Sequence, residues 1–164
     1  MSAACHPRLR RTAGFSIVEL VVSVAILGVL ASVAMPVIET SITREKEYQL
    51  RIALRDIRNA IDAYKQAAAG KLIKVDTGQS GYPPSLTELS GGVPTIATPV
   101  QQLYFLRSIP RDPFYPDQTT PALNTWGLRS YESAPDSPAP GTDVFDVYST
   151  STLVGLNGVP YSQW

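Results

Sequence analysis

The chain has 164 residues, of which 44% are hydrophobic and 17% charged, so it is long enough for one compact domain with an extension. Its 14 basic and 14 acidic side chains give a formal net charge of +0, which argues against the basic surface of a nucleic-acid-binding protein. The one cysteine, Cys5, and the one histidine, His6, both lie near the amino terminus. The remaining chain therefore has no thiol nucleophile, no zinc site of the usual kind and no Ser–His pair.

Charge is distributed unevenly along the chain. Residues 1–14 carry three bases and no acid, namely Arg8, Arg10 and Arg11. Residues 44–74 hold eight bases and four acids, whereas residues 112–164 hold six acids and one base, Arg129. This asymmetry predicts contacts between copies of the chain, each of which contributes little if the groups are exposed.

A long apolar segment follows the basic leader. Between Phe15 and Met35 the one charged residue is Glu19, and a helix of this length spans roughly 30 Å, the thickness of a bilayer core. The sequence therefore predicts a transmembrane helix over residues 15–38. Basic residues before a first span stay on the cytoplasmic side, so the rest of the chain is expected on the opposite side. A competing hypothesis is cleavage of a secretory signal at ASVA, residues 31–34.

The stretch G-F-S-I-V-E, residues 14–19, resembles the processing site of type IV prepilins and of type II secretion pseudopilins, and the whole of residues 8–36 is similar to that family. The resemblance implies that prepilin peptidase, an aspartic membrane protease, cuts between Gly14 and Phe15. It also implies that the peptidase methylates the new amino group of Phe15. In this family the glutamate that Glu19 matches pairs with the amine of a neighbouring subunit. Such a pair would offset the large cost of a lone carboxylate in an apolar core.

Three segments follow from these features: a cleaved leader over residues 1–14, a transmembrane and filament-core helix over residues 15–38, and a globular domain over residues 39–164. The helix is expected to continue to about residue 69, because Gly70 is a typical stop signal after a run of alanines. Gly28 and Pro36 are predicted to break it locally, as the family resemblance implies for the assembled filament. The alternative is that a spanning helix tolerates the proline.

The second part of this helix is predicted to be amphipathic. Apolar residues recur at the spacing of one helix face, at Leu50, Leu54, Ile57, Ile61, Tyr64 and Ala68. Charged side chains are expected on the opposite face, at Arg51, Arg55, Arg58, Asp62 and Lys65. The apolar face therefore needs a small domain to cover it.

The chain after residue 69 is rich in proline and glycine, which predicts short elements joined by loops. A short helix is expected over about residues 86–89, and residues 94–108 fit either another short helix or an extended turn. WGLRSYES, residues 126–133, and DVFDVYST, residues 143–150, are predicted strands. The predicted fold class is α+β, similar to type IV pilins. A long amino-terminal helix packs on a small antiparallel β-sheet, and the carboxyl-terminal loop is irregular.

The carboxyl-terminal segment resembles the calcium loop of major pseudopilins. The matching residues are Asp146, Tyr148, Ser149, Gly158 and Trp164. The resemblance implies a possible Ca²⁺ site that contains Asp143, Asp146 and Asn157 together with backbone carbonyls, although calcium takes six to eight oxygen ligands. The alternative is that Asp146 and Asn157 cap turns by accepting hydrogen bonds from backbone amides.

The resemblance implies a structural subunit rather than an enzyme. The expected function is polymerisation into a periplasmic pseudopilus of a type II secretion system, which supports protein export across the outer membrane. The expected partners are copies of the same chain, prepilin peptidase, the inner-membrane assembly platform with its ATPase, minor pseudopilins and the membrane. The subunit is expected first as a single-pass inner-membrane protein with its carboxyl-terminal domain in the periplasm, and then in the filament.

Three alternatives stay open at this point. The first is a type IV pilus subunit for adhesion, motility or DNA uptake. Most such pilins carry a carboxyl-terminal disulfide loop, which a chain with Cys5 as its one cysteine cannot form, and Asp112-Pro113-Phe114 also resembles the pseudopilins. The second is a minor pseudopilin, a class that often lacks the glutamate matched by Glu19. The third is a membrane-anchored enzyme, but Asp143 and Asp146 would face opposite sides of a strand and form no paired site.

Overall fold

The computed structural model describes residues 14–164, apart from the side chains of residues 33–37. Residues 1–13 of the expected leader lie outside the described residues. The chain divides into two units, Met1–Ser41 and Ile42–Trp164.

One long helix, α1, begins at Ile17 and ends at Ala69, so the predicted long helix is confirmed. The helix is continuous through Gly28 and Pro36, the two predicted points of interruption. A proline removes a single N–H donor, here the one that would bond to the carbonyl of Ser32, and the turns on both sides keep their hydrogen bonds. Within the subunit these positions therefore do not break the helix. Melting in the assembled filament stays a prediction.

The carboxyl-terminal end of α1 is closed by a Schellman motif. The N–H of Leu72 donates to the carbonyl of Ala67 at 2.9 Å, and the N–H of Lys71 donates to the carbonyl of Ala68 at 3.1 Å. The residue in the left-handed conformation is Lys71, with φ of 54°. The predicted stop, Gly70, lies one position earlier, so a residue with a Cβ atom occupies the position where glycine is usual.

One face of α1 in the globular unit is buried, as its periodicity predicted. The buried residues of this face are Leu50, Ala53, Leu54, Ile57, Ala60, Ile61, Tyr64 and Ala67. Two of the charged residues that were expected on the opposite, solvent-facing side, Arg58 and Lys65, are instead half-buried. Each contacts a later part of the chain. The Nζ of Lys65 donates to the carbonyl of Ser80 and lies 4.6 Å from the ring centroid of Tyr82.

Two short antiparallel strands lie inside the two predicted strand segments. They are β3 (Trp126–Arg129) and β4 (Asp146–Ser149), and they pair with Trp126 opposite Ser149 and Arg129 opposite Asp146. Within β4 the side chains alternate, because Val147 and Ser149 are buried while Asp146 and Tyr148 are half-buried. The prediction of a small antiparallel sheet is therefore confirmed.

A second pair of strands occupies the region that sequence patterns left open. A short helix, α2 (Thr87–Gly91), lies close to its predicted position. The strands β1 (Val93–Pro94) and β2 (Gln102–Leu103) follow it and pair antiparallel. Residues 94–108 thus contain a strand hairpin with a seven-residue connection between its strands, and no helix.

The core lies between the buried face of α1 and the carboxyl-terminal half of the chain. The β3–β4 sheet contributes Trp126 and Val147 to this core, and the segment before β4 contributes Val144. Tyr161 is 1% exposed, stacks on Phe114 with ring centroids 4.0 Å apart, and lies edge-on to Trp164 at 5.0 Å. The carboxyl-terminal segment is therefore part of the core.

A buried carboxylate joins the loop before β3 to the end of β4. The Oγ of Ser149 donates to Oδ2 of Asp112 at 2.6 Å, and the N–H of Phe114 donates to Oδ1 at 2.8 Å. The Nε1 of Trp126 donates to the carbonyl of Pro110 at 2.8 Å. Despite the residues that separate them in sequence, the Asp112–Phe114 stretch and the start of β3 therefore lie together.

Candidate functional site

The predicted processing site lies directly before α1. Gly14, Phe15 and Ser16 precede the helix, and Phe15 is 80% exposed. A Cβ atom added at Gly14 would meet no atom within 4 Å. Packing among the described residues therefore does not require glycine at this position, and none of them covers the Gly14–Phe15 peptide bond.

Glu19 lies in the first turn of α1, and its side chain is exposed. The helix dipole stabilises a negative charge at this end by about 0.3–1 kcal/mol. The Oγ of Ser23 donates to the main-chain carbonyl of Glu19 at 2.7 Å. The carboxylate itself forms no ion pair with any of the residues that the structure describes.

The first part of α1 carries an apolar surface that extends around the helix. Eleven large side chains are more than half exposed: Phe15, Ile17, Val18, Leu20, Val21, Val22, Val24, Ile26, Leu27, Val29 and Leu30. Soluble monomers rarely expose contiguous apolar patches larger than a few hundred Å². This surface therefore needs a covering layer of lipid or protein.

No helix in the described part of the chain is long and apolar enough to cross a membrane. The span expected over residues 15–38 includes residues 33–37, whose side chains lie outside the described residues.

The candidate calcium ligands are already occupied by hydrogen bonds within the chain. Asp143 accepts from the N–H of Tyr131 at 2.9 Å and from the Oγ of Ser80. Asn157 accepts from the N–H of Val159 at 3.1 Å. Among the described residues, no group of three or more Asp, Glu, His or Cys side chains could hold a metal ion. The bond to Asn157 is of the turn-capping kind that the alternative hypothesis describes for this residue, and calcium binding stays a prediction.

The third candidate ligand, Asp146, lies between two guanidinium groups. The Nε of Arg58 donates to Oδ1 at 2.7 Å, and Nη2 of Arg129 donates to Oδ2 at 3.2 Å. The Nη2 of Arg58 also donates to the main-chain oxygens of Val147 and Trp164, at 3.2 and 2.8 Å. Side chains of the protein thus supply the positive charge that faces this carboxylate. Arg58 directly follows buried Ile57, so it lies at the edge of the apolar face of α1. This position was the sequence signal that could have identified Arg58 as a half-buried residue.

The helix α1 also carries a buried carboxylate that the sequence patterns do not predict. Glu47 is buried, and its Oε1 accepts from the N–H of Leu156 at 2.6 Å and from the Oη of Tyr161 at 3.1 Å. Burial, together with the hydrogen bond to Glu47 and its negative charge, raises the pKa of Tyr161 to about 12. The loop around Leu156 is therefore hydrogen-bonded to Glu47, near the point where α1 enters the globular unit.

The family model of the prokaryotic N-terminal methylation motif matches residues 9–35 of the chain. No curated protein and no solved structure is significantly similar to the chain. This motif is the signal at which prepilin peptidase processes type IV pilin-like proteins. It implies membrane anchoring followed by polymerisation into filaments outside the cytoplasm, as in the pilin-like family, whose members are structural rather than catalytic.

Proposed function

We propose that the chain is a structural subunit that is cleaved between Gly14 and Phe15 and polymerises into the periplasmic pseudopilus of a type II secretion system. One observation carries the proposal: the segment that matches the methylation motif, residues 9–35, also carries an apolar helix surface that the described subunit leaves uncovered. In a filament, the same segment of neighbouring copies covers that surface.

Energetics restrict how such a filament forms. Lipid tails are as apolar as leucine, so moving the apolar helix from a membrane to a filament core gains almost no hydrophobic free energy. Packing between helices, the pairing of Glu19 and the work of an assembly ATPase must therefore drive polymerisation. All three contributions are part of the proposal.

Glu19 supports this mechanism through its position. Cleavage gives Phe15 a positively charged amine, and Glu19 has no ion pair among the described residues. In an apolar filament core the amine of a neighbouring subunit would compensate the carboxylate, which is costly to bury alone. A Glu19→Ala chain should be processed but should not assemble, whereas a Glu19→Asp chain keeps the charge and should retain part of the assembly. Normal filaments from the Glu19→Ala chain would contradict this mechanism.

Two features favour a pseudopilus over a type IV pilus. Processing removes Cys5, so the mature chain cannot form a disulfide loop. Two stretches that resemble pseudopilins, those that contain Asp112 and Ser149, are joined by a hydrogen bond of 2.6 Å. This contact supports the view that they form one structural unit in this chain rather than two chance matches.

A deletion strain tests the proposed function. The culture-supernatant proteome and the surface filaments of the deletion strain are compared with those of its parent. Exported proteins that accumulate in the periplasm, while surface pili persist, are the expected result. Intact secretion together with the loss of surface filaments would instead establish the type IV pilin alternative.

Complementation adds a matched pair of variants to this test. Gly14→Leu should fail to restore secretion because cleavage is blocked, although the described fold leaves open space at this position. Ser16→Ala, two positions later, should restore secretion fully.

A further inference from the structure

Exposed apolar side chains of the globular unit Ile42–Trp164 are concentrated in two patches. Eleven large hydrophobic side chains of this unit are exposed, and eight of them belong to the patches. The hairpin patch consists of Leu72, Ile96, Val100 and Tyr104. The loop patch consists of Leu153, Val154, Leu156 and Val159. Clustering of this kind marks an interaction surface, whereas scattered exposed apolar residues need no explanation.

The hairpin patch lies at the carboxyl-terminal end of α1. The N–H of Ile96 donates to the carbonyl of Leu72 at 2.9 Å, and Ile73 forms an antiparallel bridge with Thr95. An open groove of about 450 Å³ lies here, with walls from Lys71, Leu72, Thr95, Ile96, Ala97, Gln101 and Leu103. This end of the unit thus offers a largely apolar concave surface.

The loop patch lies at the other end of the unit. Its loop is tightly turned, because the N–H of Gly155 donates to the carbonyl of Val159 and the N–H of Gly158 donates to the carbonyl of Gly155, both at 2.9 Å. The N–H of Leu156 is held by buried Glu47 at 2.6 Å. The turn is therefore fixed to α1, while the Leu156 side chain stays 52% exposed. This end offers an ordered apolar projection.

The two patches cannot meet within one subunit. Glu47 lies 22 positions before Ala69, the last residue of α1, which corresponds to about 33 Å along the helix axis. A contact between two different patches at opposite ends is heterologous, and such contacts generate open helical filaments unless the rotation closes a ring. The arrangement therefore suits head-to-tail association of identical units.

We propose that the loop patch of one copy docks into the groove of the hairpin patch of the next copy along a filament. The inference rests on the proposed function and names the surface through which globular units of successive copies meet. Residues 147–164 contain no charged side chain. The loop patch therefore enters the apolar groove without removing a charged side chain from water. Lys71, at the groove, keeps its ammonium group in water while its aliphatic stem covers apolar surface.

Disulfide crosslinking of the full chain tests this contact. In a Cys5→Ala background the chain contains no cysteine. Any disulfide that forms must therefore join introduced cysteines. Ile96→Cys and Leu156→Cys are combined, and filament-producing cells are oxidised and examined on a non-reducing gel. A disulfide needs Cα atoms about 4.4–6.8 Å apart, so a bond between these positions must join two copies. The expected result is a ladder of multimers.

Matched controls separate the contact from random collisions. Each single-cysteine variant should give at most dimers. Ile96→Cys combined with Ser137→Cys, a position that is exposed and outside both patches, should give no ladder. A missing ladder from Ile96→Cys with Leu156→Cys, when both thiols react with a maleimide and filaments form, would overturn the proposed contact and leave the proposed function standing. If the unsubstituted chain forms no filaments, the proposed function fails and this inference fails with it.

A charge placed in either patch gives a second, independent readout. Ile96→Lys and Leu156→Lys should each lower the amount of filament at least tenfold while cleavage at Gly14 is unchanged, because the new ammonium group would be buried at the contact. Ser137→Lys adds the same charge outside the patches and should leave the filaments intact. Equal filament yield from all three variants would overturn the contact.

Discussion

The Nε of Arg58 on α1 lies 2.7 Å from Oδ1 of Asp146 on β4, although the two residues are 88 positions apart in the chain. The same guanidinium group holds the main-chain oxygen of Trp164 at 2.8 Å. One arginine therefore joins the long helix, the β3–β4 sheet and the carboxyl-terminal segment. Because both partners are partly exposed, its contribution depends on the added hydrogen bonds more than on charge alone.

Replacing Asp146 by asparagine should destabilise the fold. The change leaves Arg58 and Arg129 half-buried without their counter-charge, and we expect the free energy of unfolding to fall by about 1–3 kcal/mol. Urea unfolding of the full chain in detergent, followed by tryptophan fluorescence, measures this loss. Asp76→Asn removes an exposed ion pair to Lys74 of 3.5 Å and should cost only about 0–1 kcal/mol. Equal losses in the two variants would contradict this role of Asp146.

The same unfolding curves test the calcium prediction. A cation that binds only the folded chain raises its stability by mass action as the concentration rises. Asp143, Asp146 and Asn157 already bond to protein groups, so calcium would have to displace or supplement these bonds. An unfolding midpoint that does not move when calcium is titrated would contradict the prediction of calcium binding.

Stability should fall in alkaline solution through Tyr161. Its pKa is raised from 10.0 to about 12 in the folded chain, first by burial and then by Glu47. A group with a raised folded pKa contributes stability that is complete below its unfolded pKa and is lost as the pH rises through the folded pKa. The loss should therefore fall between about pH 10 and pH 12. Tyrosinate absorbance and unfolding midpoints over this range are the measurements.

Two variants isolate this effect from other tyrosines, since the pKa values of Tyr64 and Tyr82 are also raised, chiefly by burial. Tyr161→Phe should remove part of the alkaline loss of stability. Glu47→Gln removes the neighbouring charge, so the pKa of Tyr161 should move back towards its ordinary value. An alkaline profile that is identical in Tyr161→Phe and the unsubstituted chain would show that Tyr161 does not control it.

Asp112→Ala should be strongly destabilising. The change leaves the buried Oγ of Ser149 and the half-buried N–H of Phe114 without their acceptor, and a buried group left without a partner costs about 1–3 kcal/mol. Chemical denaturation measures the difference. Asp136→Ala, at an exposed position in the proline-rich loop, should stay within about 0.5 kcal/mol of the unsubstituted chain. A loss no larger than that of Asp136→Ala would contradict this account of Asp112.

Lys71→Gly should stabilise the end of α1. The left-handed conformation costs a residue with a Cβ atom roughly 1–2 kcal/mol, and the greater flexibility of glycine when unfolded offsets about 0.5–1 kcal/mol of the gain. Thermal unfolding should therefore show a small increase in stability. Lys71→Ala keeps the Cβ atom and should show none, so an equal gain in both variants would exclude conformational strain as the cause.

Local patterns predicted the parts of the fold that depend on neighbours in sequence. The spacing of Leu50, Ile57 and Ile61 placed the buried face of α1 correctly, because helical periodicity is a property of the chain itself. The strands β3 and β4 were also found. The β1–β2 hairpin was not, because its two-residue strands are too short to show an alternating pattern.

The candidate site also divides into residues in a local sequence motif and residues defined by distant contacts. Gly14, Phe15 and Glu19 could be named as candidates because they lie in one contiguous motif, residues 9–35. The partners of Arg58 and Glu47 could not be predicted, because they lie 88 and 114 residues away in the sequence. Periodicity places a charged residue on a helix face but does not say whether a distant loop covers it.

The mass of the mature chain tests the central claim most directly. Intact mass spectrometry of the protein from membranes and filaments should give a chain that begins at Phe15 and carries one added methyl group. Glu19→Ala should give the correspondingly cleaved and methylated variant chain in membranes and none in filaments. A chain that keeps residues 1–14, or one cut after Ala34 as a secretory signal would be, would contradict processing and assembly as a pilin-like subunit.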